Sequence, residues 1–174
     1  YKVAETFKVL ENMFPGRIDL GIGRAPGSDH RTAIALAYGS QVGIEYFPAK
    51  IRDMAGFLID ELPSEHPLSG VRATPRVDGL PEIWILASSE GSTTLAAQFG
   101  MGLSYAHFIN PADTEILLRM YRDNFKPSEH LTEPHIAMGI FVLCAETEEE
   151  AERMVSSRDL HRCLLYTSDA ADEC

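Results

Sequence analysis

The chain has 174 residues, 45% of them hydrophobic and 24% charged, with 26 Asp and Glu against 15 Lys and Arg for a formal net charge of −11. That is the composition of a soluble globular domain, long enough to bury about two-thirds of its unfolded surface without a disulfide or metal staple. No stretch approaches the ~18 apolar residues of a membrane span, no basic-then-apolar leader opens the chain, and a pI near 4.9 repels a polyanion, so neither a membrane nor a nucleic-acid partner is expected. Cys144, Cys163 and Cys174 are odd in number and crowd the C-terminal end, which is not a disulfide framework, and the expected compartment is a reducing cytoplasm. Charge is uneven: positions 145–174 hold nine acids against three bases, −6 of the total. The chain also opens at Tyr1 inside a helical pattern, so both ends look foreign to a natural protein.

In chain order, Val3, Phe7, Leu10 and Phe14 recur at helical spacing up to Pro15-Gly16, which predicts a helix over 2–13. Ile18 to Gly23 reads as a short buried strand and Arg24-Ala25-Pro26-Gly27 as the loop at its carboxyl end. Helices are expected over 31–38 and 48–61, the second with Ile51, Met54, Phe57, Leu58 and Leu62 on one side. Between about 62 and 82 lie Pro63, Pro67, Pro75, Pro81, Gly70 and Gly79, a connection long enough to suggest function or mobility. Ile83 to Ala87 is a continuous apolar run, as in parallel strands buried on both faces. The turn Ser88 to Thr93 leads into a helix closed by Gly100. A strand over 102–107, a helix over 112–124 and a strand over 135–144 follow, with Cys144 expected to be a buried small hydrophobe. A last helix opens at Thr147, whose capping box is completed by Glu150. Such alternation predicts an α/β fold with a parallel sheet.

In parallel α/β architectures ligands sit at the carboxyl ends of the strands, which directs attention to Arg24, to Ser88 through Thr93, and to His107 through Asn110. A Ser/Gly/Thr-rich turn at a helix amino end offers free N–H groups, hydroxyls and the positive end of the dipole to a phosphate. Arg24, from a neighbouring strand end, is placed to add a bidentate countercharge.

The segment from Glu82 through Gly100, EIWILASSEGSTTLAAQFG, resembles the flavin-phosphate segment of the bacterial luciferase-like monooxygenases. Val3 through Gly27, ending PGRIDLGIGRAPG, is similar to their helix, Gly-Arg, strand, Gly-x-Gly-Arg element. The resemblance runs over residues 1–158. It implies part of a (β/α)8 TIM barrel with about four parallel strands, by family order the fourth to the seventh. It further implies reduced FMN or a related deazaflavin as cosubstrate, and oxygen-dependent oxidation of a small organic molecule, which in the family's manner would be an aldehyde. Ser89 and Ser92 would bind the flavin phosphate with the turn around them, Ser88, Gly91 and Thr93 included; Arg24 would lie beside it; and His107 would approach the ring region as the catalytic candidate. A flavin reductase and a second copy of the full-length protein are the partners implied. Family members that oxidise alkanals often carry Cys where Gly23 stands and an aromatic where His107 stands, so neither their substrate nor light emission is implied.

A complete barrel of this type needs about 250 residues, so the chain is expected to be an internal fragment, inactive alone. Residues 1–162 form the barrel portion, and 163–174 look like a non-native tail, since Leu164 to Glu173 resemble a translated sequencing adapter.

Other readings compete for the same residues. The Ser88 to Thr93 turn is also what an ordinary helix cap looks like. Ala87-Ser88-Ser89-Glu90-Gly91 is one residue from a G-x-S-x-G nucleophile elbow, which would make the protein a serine hydrolase with Ser89 as nucleophile. A flavin-binding barrel without turnover is the non-enzymatic reading. A dinucleotide fingerprint over Gly21, Gly23 and Gly27 would need glycine where Pro26 stands, and His130 and His135, with Pro134 between, do not match a helical zinc pair, so no metal is expected.

Overall fold

The computed structural model describes residues 1–24, 30–36 and 44–169. Ala25 to Gly27, positions 37 and 38 of the expected second helix, and positions 170–174 of the expected tail lie outside the described residues. The chain divides into two compact units, Tyr1–Gly139 and Ile140–Cys174.

The first unit is built on four parallel strands, β1 (Asp19–Gly23), β2 (Glu82–Ala87), β3 (Gly102–Ala106) and β4 (Ile136–Gly139), in the order β1-β2-β3-β4. Helices α1 (Lys2–Met13), α2 (His30–Leu36), α3 (Phe47–Ile59), α4 (Glu90–Phe99) and α5 (Thr114–Asn124) lie between and before the strands, with α4 packed on β2, β3 and α5, and α1 on α3. Ile83, Ile85 and Ala87 of β2, Leu103 and Tyr105 of β3 and Leu20 of β1 enter one core with Ile51, Met54, Phe57 and Leu58 of α3, Ala96 and Ala97 of α4, and Leu117 and Tyr121 of α5. Each buried Ile or Leu of this kind stabilises the fold by about 1.5–3 kcal/mol.

The apolar run of β2 is buried on one face only. Trp84 is half-buried and Leu86 is 46% exposed, because the helices cover the face that carries Ile83 and Ile85 and period-2 alternation turns Leu86 to the other. Parallel register aligns that other face in rows: Gly21, Trp84 and Gly102, then Gly23, Leu86, Ser104 and Ala137. Trp84 lies across Gly102, where a Cβ would stand 2.6 Å from an indole carbon. Gly100 closes α4 in the left-handed conformation with φ 61, and a Cβ there would meet the Lys126 carbonyl oxygen at 2.4 Å, so both chain direction and space require glycine.

The apolar stripe expected on α1 is buried only in part: Phe7 packs against the core and Leu10 is half-buried. Ala4, Lys8 and Glu11 are buried, whereas Val3 and Phe14 are exposed. Lys8, 1% exposed, reaches Asp60 Oδ1 at 2.9 Å and the Ala73 carbonyl at 3.1 Å, and Glu11 Oε1 accepts the Gly16 N–H at 2.6 Å. The bond from Lys8 to the Ala73 carbonyl ties the long Pro-rich connection to α1, which is why a cation lies beneath it. The Tyr121 hydroxyl donates to the Met101 carbonyl at 2.8 Å, and burial pushes its pKa up to about 12.

The strand expected over 135–144 is shorter, ending at Gly139. Ladder pairing stops because β3 ends at Ala106 and turns; the last bond is from Phe108 N–H to the Gly139 carbonyl at 3.3 Å. Cys144 is accordingly exposed rather than buried. In the second unit, α6 (Glu148–Asp169) opens with the Glu150 N–H donating to Thr147 Oγ1 at 3.2 Å, as the capping pattern requires, and it runs through position 163 without a break. Arg158 stacks over the Phe141 ring at 4.0 Å within the same unit.

Candidate flavin-phosphate site

The carboxyl ends of β1, β2, β3 and β4 converge on a cavity of about 310 Å³ lined by Gly23, Arg24, Leu86, Ser88, Ser104 and Phe108, among others. One wall is small, since Gly23, Ser104, Ala106 and Gly139 bring little or no side chain to it; Leu86, Phe108 and Ile109 supply apolar surface.

The amino end of α4 stands beside this cavity. Ser89 is its N-cap, with φ −139 and ψ 160, and makes no side-chain capping hydrogen bond. The first intrahelical bond is Thr93 N–H to the Ser89 carbonyl at 3.1 Å, so the N–H groups of Glu90, Gly91 and Ser92 have no acceptor among the described residues. Arg24 Nη1 lies 3.9 Å from where a Cβ on Gly91 would stand, and nothing else approaches that point within 4 Å. Arg24 is exposed and has no ion pair or hydrogen bond among the described residues. A guanidinium next to three amides that are open among the described residues, at a helix amino end, is a candidate site for a dianion.

Comparison with known proteins gives this geometry its context. Residues 1–172 match the family model described as luciferase-like monooxygenase. The chain belongs to the luciferase-like monooxygenase family. It is 44% identical over 160 residues to the Bacillus subtilis protein YceB, covering 92% of this chain and 48% of that one. It is 36% identical over 167 residues to the N-acetyl-S-alkylcysteine monooxygenase of Bacillus subtilis, covering 95% and 49%. Among solved structures, apo-MsnO8 superposes with a TM-score of 0.79 at 32% identity, covering 97% of this chain and 49% of that chain. The chain therefore spans about half the length of the relatives it matches, and its four parallel strands with their helices are part of a luciferase-like TIM-barrel fold.

In this family member the residues singled out from sequence do not all stand alike. Arg24 and Ser88 line the cavity and Gly91 faces Arg24. Ser89 is half-buried at the N-cap, its hydroxyl not used to cap the helix. Ser92 and Thr93 are buried, and the Thr93 hydroxyl donates back to the Ser89 carbonyl at 2.9 Å, inside its own helix. His107 occupies the turn after β3, half-buried, but Phe108 and Ile109 rather than His107 line the cavity. The donor set suits the phosphate of a flavin mononucleotide: one guanidinium, three unused amides, and a gap over Gly91 that a side chain would occupy.

The nucleophile-elbow reading finds no support in the backbone. Ser89 sits in relaxed extended geometry rather than in a strained turn, and no histidine bonds to it among the described residues. Nor do three His, Cys, Asp or Glu side chains gather as a metal site among the described residues, and no helix there is long and apolar enough to cross a membrane.

Leu86 and Ser104 were not identifiable as site residues from pattern alone, whereas Phe108 falls in the 107–110 stretch to which the strand order pointed. Leu86 sits inside an apolar run that reads as core; the sheet register and the placement of the helices turn it outward.

Proposed function

We propose that the protein carrying this chain is a flavin-dependent monooxygenase that uses reduced FMN, or a related deazaflavin, and oxygen to oxidise a small organic substrate. Family membership supports the chemistry. The observation that carries the cofactor is Arg24 Nη1 poised over the side-chain-free face of Gly91, next to the open amides of α4. When bound, the reduced flavin supplies the electrons that activate oxygen. The chain's own residues bind, orient and exclude water. Arg24 and the N–H groups of Glu90, Gly91 and Ser92 hold the phosphate, with the Ser88 and Ser89 hydroxyls beside them. Gly23, Ser104, Ala106 and Gly139 leave space next to Leu86 for a flat ring, while Phe108 and Ile109 keep that space dry. His107, in the turn with Phe108, is the proposed group for moving a proton near the substrate. An aldehyde, the substrate class of the family's alkanal-oxidising members, is the first class to assay. The name of the N-acetyl-S-alkylcysteine monooxygenase adds an alkyl thioether as the second class to assay. A flavin reductase and a second copy of the full-length protein are the proposed partners.

The test is titration of the full-length protein with FMN and with riboflavin, which lacks the phosphate, followed by flavin fluorescence. Wild-type protein should prefer FMN, and Arg24→Ala should lose that preference, with a fall in FMN affinity of about tenfold or more for one charge-assisted contact. No saturable FMN binding, or binding indifferent to Arg24→Ala, overturns the phosphate assignment.

A further inference from the structure

The loop that follows β3 reaches back to the loop that follows β2 through a single side chain. Asn110 Nδ2 donates to the Ser88 carbonyl oxygen at 3.0 Å and to Asp113 Oδ2 at 3.0 Å, while its Oδ1 accepts the Asp113 N–H at 3.3 Å. Its own carbonyl accepts the Tyr105 hydroxyl at 2.6 Å, and its N–H donates to the Ala106 carbonyl at 3.2 Å. Tyr105 is fully buried, so the anchor behind Asn110 is part of the core.

This amide has only one orientation. Two acceptors face one end and one N–H donor faces the other, so Nδ2 and Oδ1 cannot be exchanged without losing bonds at both ends. Its target is the carbonyl of Ser88, which lines the cavity and directly precedes the N-cap Ser89. Because the Ser88–Ser89 peptide is planar, a fixed Ser88 carbonyl fixes the plane in which the chain enters α4. The open amides of Glu90, Gly91 and Ser92 start from that plane.

We propose that Asn110 is a positioning residue for the phosphate-binding turn: it touches no ligand itself and acts by holding the Ser88 carbonyl, and with it the amino end of α4, at a fixed distance from Arg24. This rests on the phosphate reading above. A bond that only stabilised the fold would affect every ligand of the cavity alike; a positioning bond affects the phosphate selectively.

The test uses Asn110→Ala in the full-length protein, which removes the bond to the Ser88 carbonyl without placing a charge near the phosphate. FMN affinity should fall about tenfold and riboflavin affinity by less than about twofold, from the loss of one positioning hydrogen bond. Equal losses for the two ligands, or no loss for either, overturn the proposal when Arg24→Ala in the same assay abolishes the FMN preference. If Arg24→Ala leaves that preference intact, the phosphate reading itself fails and this inference goes with it. Should Asn110→Ala not fold, Tyr105→Phe removes only the Tyr105 anchor to the Asn110 carbonyl. It should lower FMN affinity selectively, by about threefold, and an unselective change there overturns the proposal equally.

Discussion

Replacing Gly91 by alanine should raise stability and lower flavin affinity at once, and that opposition of sign distinguishes a phosphate site from an ordinary helix start. Gly91 lies in the first turn of α4 with φ outside the left-handed region, so its backbone does not require glycine. An added Cβ meets only Arg24 Nη1, at 3.9 Å, which is ordinary contact. Alanine in a helix interior is favoured over glycine by about 0.8–1 kcal/mol, an upper limit for a first-turn position. For a full-length protein about twice the length of this chain, that corresponds to a rise in Tm of about 1–2 °C. A phosphate oxygen shared by Arg24 Nη1 and the α4 amides must come within about 2.8 Å of each donor. The new methyl carbon would stand on the side of the helix turn that Arg24 faces and hold an oxygen off at about 3.5 Å. Loss of one charge-assisted hydrogen bond of about 1.5–3 kcal/mol weakens FMN binding roughly 10- to 150-fold. Thermal unfolding and FMN titration of the full-length Gly91→Ala protein read the two effects separately. A raised Tm with FMN affinity unchanged would refute the placement of the phosphate over Gly91.

Ser89→Ala should cost less than about 0.5 kcal/mol of stability, well under the ~1 kcal/mol typical of a working N-cap, because the Ser89 hydroxyl makes no capping bond; a chemical-denaturation curve checks this, and the same variant should bind FMN more weakly. A fluorophosphonate probe should leave Ser89 unlabelled, since no base is bonded to it; labelling seen by mass spectrometry would restore the hydrolase reading. Asp60→Asn should destabilise by about 3 kcal/mol, because it removes the carboxylate opposite Lys8 and leaves that buried charge with neutral acceptors only; Lys8→Met should cost less, and equal costs in urea unfolding would contradict the argument. Burial holds the His130 imidazole below its usual pKa, with Nδ1 buried and unbonded. The unfolded chain therefore binds the proton more readily, so stability falls as pH drops through about 6.5 toward the folded pKa. His130→Asn should flatten that dependence between pH 7.5 and 5.5, and an unchanged slope of Tm against pH would count against it.

Where pattern alone located elements, the reason is local. The run from Val3 to Phe14, stopped by Pro15-Gly16, placed α1 at Lys2–Met13, and Gly100 marked the end of α4, because helix termination depends on residues within one turn. The long connection was legible as a connection, but not as one held by a buried lysine: Lys8 lies 52 residues from Asp60 and 65 from the Ala73 carbonyl it also bonds. The overlong strand at 135–144 failed for a similar reason. Ile140 to Val142 are apolar enough to extend β4, yet a strand persists only as far as its neighbour offers a ladder, and β3 turns away at Ala106.

The candidate site divides along the same line. Short-range chemistry made the Ser-Gly-rich turn and Arg24 recognisable in the sequence as candidate phosphate ligands, since free amides at a helix start and a guanidinium need no tertiary information to be named. Which of those groups face one another was decided by parallel register: Gly23 opposite Leu86, Leu86 opposite Ser104, and so Arg24 over Gly91 while Thr93 turns back into its helix. The bond that Asn110 makes belongs wholly to the second category. Nothing in Asn-Pro-Ala-Asp announces a link to Ser88, 22 residues earlier, and the link exists because β2 and β3 are neighbours whose loops emerge at the same end of the sheet. The amino-acid order determined which groups were available; the parallel sheet, by bringing four strand ends to one rim, determined which of them meet.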